Sequence, residues 1–148
     1  MDRYEINTDT LAILPETHYT SKVLEQDTTY IIPRNPYKIM DDSCQYFGSS
    51  FEGREKGSRN ILGSGYKVPI IVEEVQDLIF FPTVSKQQED CCWLNLKHIK
   101  SYIKDGENTK ITFHNNQVIT VPVSYKSFQN QLFRAARLES VIKKRVNK

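Results

Sequence analysis

The fifteen residues 43–57, SCQYFGSSFEGREKG, restrict the folds open to this chain more than any other segment. Three glycines and four serine or cysteine residues alternate with three aromatics, and Arg54, Lys56 and then Arg59 follow. The mixture is too aromatic for a flexible linker and too rich in glycine for an ordinary surface helix. Glycine inside an element costs about 0.5–1 kcal/mol relative to alanine, so Gly48 and Gly53 imply close packing or a backbone that must approach something. Asp42 or Ser43 can cap a helix that begins here, and Cys44, Phe47 and Phe51 at i, i+3 and i+7 would share its buried face. Gly57 and Gly63-Ser64-Gly65 mark its exit. The segment reads as an anchor that presents cations.

Around this helix the pattern is mostly β. Short strand-like runs occupy residues 3–6, 10–14, 22–25, 28–32 and 37–40, with Asn7-Thr8-Asp9 and Gln26-Asp27 as hairpin connections. Residues 68–72 and 78–81 are nearly continuous apolar runs, which predicts that both strands are well buried; Pro69 fits only near a strand start or on an edge. Residues 82–90 form a polar loop, and 92–96 and 98–103 read as strands. The clearest hairpin joins 109–113 to 118–121, where the asparagines at 115 and 116 suit a tight turn. A final helix runs from Ser124 or Ser127 to Arg145. Phe128, Leu132, Ala135 and Ile142 share its apolar face, with Tyr125 and Leu138 at the margins. Lys126, Arg137 and Lys144 lie opposite, over about 27 Å at 1.5 Å per residue. Glu139 sits close to the apolar stripe, so the helix is expected to leave the core near it. These elements predict an α+β fold in one domain, residues 1–148: mainly antiparallel β-sheet with one internal helix and a C-terminal amphipathic helix.

Length and composition fit that size of core. No apolar run reaches the ~20 residues of a membrane span, and the polar, acidic N-terminus is unlike a secretory signal, so a cytoplasmic location is expected. Cys44, Cys91 and Cys92 are odd in number and two are adjacent, which predicts reduced, partly buried thiols rather than a disulfide framework. His18, His98 and His114 show no paired ligand spacing, so neither a metal nor another cofactor is expected.

Net charge is only +2, but it is unevenly spread. Residues 1–33 and 69–95 are each net −4, residues 34–68 are net +2, and residues 96–148, with eleven basic and three acidic groups, are net +8. That asymmetry points to a polyanion as partner of the C-terminal third. No nucleophile elbow, phosphate loop, dinucleotide fingerprint or metalloprotease helix is present, and helix capping explains Asp41-Asp42 more simply than paired catalysis does. Binding is the stronger expectation. Arg54, Lys56 and Arg59 could neutralise phosphates, with small neighbours letting backbone N–H groups approach as well. The structural alternative is an ion pair of Arg54 or Arg59 with Glu52 or Glu55. No helix-turn-helix, zinc-finger or basic-zipper signature is visible, so a DNA reader built this way would use strands, loops or an inserted arginine.

Residues 43–54, SCQYFGSSFEGR, resemble the central motif of the ComK family, the competence transcription factors of Gram-positive bacteria. Further likenesses follow in order: Tyr4-Glu5-Ile6-Asn7 and then Ala12-Ile13-Leu14-Pro15-Glu16; Pro69-Ile70-Ile71-Val72 before Ile79-Phe80-Phe81-Pro82-Thr83; and Cys92-x-Leu94, similar to the family's cysteine–glycine–tryptophan–isoleucine stretch. Residues 122–131, PVSYKSFQNQ, are similar to its proline–isoleucine–serine–tyrosine–asparagine–serine–phenylalanine–glutamate–asparagine–glutamine run. The likeness spans roughly residues 4–138. It implies a DNA-binding activator of the genes for DNA uptake, not an enzyme, working at the nucleoid. The implied partner is double-stranded DNA with paired A/T-rich promoter boxes, contacted largely through the minor groove by a homodimer or dimer of dimers, with RNA polymerase a further candidate. Arg54, Lys56 and Arg59 are then the first candidates for DNA contact, because an A/T minor groove attracts inserted arginine. Arg134, Arg137 and Lys144 are the second. Longer relatives continue past the final helix into a tail read by a proteolytic adaptor, and this sequence stops at Lys148, a departure from the family's pattern that puts degradation through that tail in doubt. A rival reading is a protein- or lipid-interaction module, since a closing hairpin followed by an amphipathic helix superficially matches pleckstrin-like domains.

Overall fold

A strand that is apolar at every position must be covered on both faces, and residues 78–81 are such a run. In the computed structural model, which describes residues 1–63 and 65–146, that run belongs to a six-stranded antiparallel sheet. Its strands in chain order are β1 (Thr10–Pro15), β2 (Ser21–Glu25), β3 (Thr29–Ile32), β4 (Ile70–Glu73), β5 (Leu78–Pro82) and β6 (Trp93–Asn95), lying side by side as β3-β2-β1-β6-β5-β4. Phe81 pairs with Leu94, and Ala12 and Ile13 of β1 pair with Leu94 and Trp93. Pro69 directly precedes β4, an edge strand, where its missing N–H is tolerated.

Alternation along these strands divides the interior into two cores. Ile13, Val23, Ile70, Val72, Phe80 and Trp93 point to one, and Ala12, Leu24, Ile71, Ile79, Phe81 and Leu94 to the other. The adjacent thiols separate in the same way, Cys91 into the first core and Cys92 into the second. All three cysteines are free and buried.

Two helices, α1 (Pro36–Tyr46) and α2 (Phe51–Leu62), contribute to the first core, where one internal helix was expected. The expected strand at 37–40 is instead the first turn of α1. Asn35 accepts a hydrogen bond from the Lys38 N–H at 2.9 Å, and Pro36 occupies the first helical position, where it has no hydrogen bond to lose. Ile39, Met40 and Cys44 form the buried face of α1. The expected continuous face through Phe51 is broken after Phe47 by Gly48, at φ +88°, and Ser50 then caps α2 by accepting from the Gly53 N–H at 3.0 Å. Asp41 does serve as a cap, but for α2, its carboxylate accepting from the Phe51 N–H at 2.9 Å. Gly57 lies inside α2 rather than at its exit, which is Gly63 at φ +87°.

Residues 3–6 are no strand either. Tyr4 and Ile6 are buried, but their polar partners are side chains: the Tyr4 hydroxyl meets Thr10 and Glu25, and the Ile6 N–H donates to the Ser43 hydroxyl at 3.0 Å. With no neighbouring strand to pair with, the segment is pinned rather than laddered. Asn7-Thr8-Asp9 is accordingly a turn that leads into β1.

The second core is closed by a three-stranded antiparallel sheet, β7 (Ile99–Asp105), β8 (Asn108–Phe113) and β9 (Val118–Val121), and by α3 (Tyr125–Val146). Asn116, at φ +73°, makes the β8–β9 turn in the left-handed conformation that asparagine tolerates. Phe128, Gln131, Ala135 and Leu138 are the buried line of α3, so Leu138 is central and Leu132 and Ile142 flank it. Gln131 takes a core position because its amide donates to the Lys67 and Pro82 carbonyls at 2.7 and 3.1 Å. Helix α3 keeps its core contact past Glu139 through Ile142.

Candidate nucleic-acid interface

Because α2 runs beside the β4 edge, its N-terminal Phe51 lies in the first core while Ile61 and Leu62 pack against the second, close to α3. The two basic segments of the sequence therefore meet in space. Arg59 of α2 reaches the Gly65 carbonyl at 3.4 Å, and Arg134 of α3 donates to the Lys67 carbonyl at 3.0 Å. A side chain at 65 would stand 2.7 Å from Arg134 Nη2, so only glycine allows the guanidinium to lie this close. Burial lowers the pKa of Arg134 from the ordinary guanidinium value; the group serves as a tie between α3 and the 65–67 turn.

The α2 cations are all engaged. Lys56 pairs with Glu52 at 3.3 Å and Arg59 with Glu55 at 3.4 Å, the latter as the structural alternative anticipated. Arg54 pairs with neither neighbour but with Glu74 in the β4–β5 turn, at 3.6 Å, and its Nε is buried with no partner among the described residues. Glu55 is the hub. Its carboxylate is nearly inaccessible and also receives Lys86 Nζ at 2.9 and 2.8 Å, while that ammonium sits 5.1 Å above the Phe51 ring.

Helix α3 contrasts with this. Lys126, Arg137 and Lys144 are exposed, line up on the face opposite its buried residues, and have no carboxylate within ion-pair distance among the described residues. The one carboxylate of the helix, Glu139, is half-buried and engaged by Lys143 at 3.7 Å. Burial first, and then the adjacent Asp77 carboxyl, hold Glu139 above the usual glutamate range. Lys100, Lys104 and Lys110 add exposed charge on β7 and β8. The +8 of residues 96–148 contains them, but no spacing in the sequence separates them from its other cations.

The three thiols and His98 are poorly suited to nucleophilic or acid–base chemistry. Burial pushes the thiols of Cys44 and Cys91 up to about 12 and that of Cys92 to about 11, so they stay protonated at neutral pH. His98 is pulled down by burial while its ring meets the Thr8 carbonyl at 2.7 Å. No helix among the described residues is long and apolar enough to cross a membrane.

Comparison with known proteins bears on what this basic surface meets. The family model described as ComK protein matches residues 1–147. The competence transcription factor of Bacillus subtilis (strain 168) is 34% identical over 151 residues, an alignment that covers 99% of this chain and 79% of that protein. No solved structure matches.

Proposed function

The chain belongs to the ComK family, and on that premise we propose that it is a regulator of competence transcription that binds double-stranded DNA and activates genes for DNA uptake. The observation that carries the DNA contact is the α3 stripe, three exposed cations aligned over about 27 Å with no carboxylate paired to them among the described residues. Cations free of internal partners release the counterions of a phosphate backbone without first losing a salt bridge. Arg137 and Lys144, with Lys126, are thus the leading phosphate contacts.

Lys56 and Arg59 extend the contact from α2. The pair of Lys56 with Glu52 is exposed on both sides, and such pairs are worth only about 0–1 kcal/mol, so phosphate can replace that carboxylate; the half-exposed Arg59 can turn to phosphate because Lys86 stays on the buried Glu55. Arg54 and Arg134 remain candidates that act chiefly by holding α2 and α3 in position. The target is A/T-rich promoter boxes read largely through the minor groove, whose negative potential favours arginine. One domain, residues 1–148, works at the nucleoid as a homodimer or dimer of dimers, with RNA polymerase as a further contact.

Binding to an A/T-boxed duplex beside a scrambled G/C-rich one, followed across salt concentrations, tests this reading. Sequence-specific regulation predicts a discrimination of about 4 kcal/mol or more. Equal, weak binding to both would refute it and favour an acidic protein or lipid surface as the partner. Varying the box spacing by half and whole helical turns then tests assembly on one face of the DNA.

A further inference from the structure

Phe133 is 55% exposed in the middle of the α3 cationic face. At 100° per residue, Lys126, Arg137, Ser140 and Lys144 all fall within about 40° of it around the helix. Along the axis, Lys126 lies about 10 Å before the ring, and Arg137 and Lys144 about 6 and 16 Å after it. The ring is therefore bracketed at both ends by positive charge that has no ion-pair partner among the described residues. No second exposed large apolar side chain shares this stretch of the face among the described residues. A protein interface of ordinary kind is depleted of charge at its centre and gathers several apolar groups there. A lone aromatic inside a line of cations fits a polyanion that also offers an apolar interior, and stacked base pairs between two phosphate backbones are that surface.

We propose that Phe133 is the wedge α3 presses between two base pairs of the bound duplex, with Lys126, Arg137 and Lys144 held on the flanking phosphates. This rests on the DNA-binding reading above and adds to it how the site deforms its target. Apolar side chains entering from the minor groove partly unstack a base step and kink the duplex. Pyrimidine–purine steps such as TA, common in A/T-rich boxes, unstack most easily. The ring thereby contributes specificity through deformability, without a hydrogen bond to any base.

The test uses the full chain and an A/T-boxed duplex with 2-aminopurine substituted for adenine at successive TA steps, and dyes on the duplex ends report bending. Wild-type protein should raise 2-aminopurine fluorescence at one step and bring the ends closer. Phe133→Leu, which keeps an apolar wedge, should retain both signals. Phe133→Ala should lose both and bind on the order of tenfold more weakly, while the salt dependence of binding is unchanged because no cation is removed. The ring is exposed, so unfolding curves of both variants should match wild type. A wild-type complex that forms with no rise at any step would overturn the wedge and leave the DNA-binding reading standing. Failure of the wild type to bind duplex would overturn both. If Phe133→Ala keeps the fluorescence signal, or alters oligomeric state in sedimentation while the signal persists, the ring serves a protein contact and the wedge is wrong.

Discussion

Glu55→Ala should destabilise the protein by about 2–3 kcal/mol. The Glu55 side chain is 7% exposed and accepts from Lys86 Nζ at 2.9 and 2.8 Å and from Arg59 at 3.4 Å. Removing one partner of a buried ion pair costs about 3–5 kcal/mol, because the other charge is left stranded. Here Lys86 is 25% exposed and Arg59 41%, so both recover some hydration and the cost falls toward the lower figure. In a chain of this size each 1 kcal/mol moves Tm by roughly 2–4 °C, which gives a drop of about 5–10 °C. Trp93, the single tryptophan, has its ring 5.6 Å from that of Phe51, so urea unfolding followed by its emission reports on this region directly. The double variant Glu55→Ala/Lys86→Ala removes the stranded ammonium and should be no less stable than Glu55→Ala alone. A single variant within about 0.5 kcal/mol of wild type, or strict additivity of the two changes, would refute the hub.

Two further outcomes follow from the charges on α3. Replacing Lys126, Arg137 and Lys144 together with alanine should flatten the plot of log binding constant against log salt by about 2.7, at roughly 0.9 per phosphate contact, and an unchanged slope in duplex titrations would remove the stripe from the interface. The raised pKa of Glu139, caused by burial and then by Asp77, means that the folded state holds this proton more tightly than the unfolded chain. Its stabilising contribution is therefore complete below the ordinary glutamate value and is lost as pH rises through the folded value. Glu139→Gln, which cannot ionise, should be more stable than wild type at neutral pH and converge with it below about pH 4; equal unfolding midpoints at pH 7 would contradict this.

The strands were legible wherever hydrophobic patterning and turn chemistry agreed. Residues 78–81 are apolar at every position because two cores press on them, and the hairpin around Asn116 carries its own turn residue. The errors came where a long-range side-chain contact decided the local structure. Tyr4 and Ile6 alternate like a strand, yet their partners are Glu25, Thr10 and Ser43, which no local pattern reveals. Residues 37–40 look like a short β run, and the signal that outweighs it is the dipeptide Asn35-Pro36, a helix cap followed by a first-turn proline. Gly48 stands out in the sequence as a site of close packing or backbone approach, and its role as the joint between α1 and α2 appears only in the fold. For the site, the sequence located both basic segments but could not say which cations are already paired. Arg54 is tied to Glu74, twenty positions away, and Arg134 to the Lys67 carbonyl, 67 positions away. Only folding separates those ties from the unpaired line on α3.

A sheet buried on both faces has a hazard that half-exposed sheets avoid. When one side is wet, a slip of one residue turns apolar groups to water and is rejected at once. In β5 the same slip would only exchange apolar side chains between two apolar interiors, so hydrophobicity alone specifies alignment weakly. The buried amides supply what it lacks. Asn95 donates to the Thr10 carbonyl at 2.8 Å between β6 and β1, the Cys92 N–H donates to the Thr83 hydroxyl at 3.0 Å, and Gln131 ties α3 to the Pro82 carbonyl at 3.1 Å. Displacement by one position would leave the Asn95 amide and the Cys92 N–H buried without a partner, at about 1–3 kcal/mol apiece, and would leave Gln131 tied to Lys67 alone. A few hydrogen bonds thus act as a ratchet for the central layer, and the alignment they fix carries through Gln131 to the angle at which α3 presents its cations.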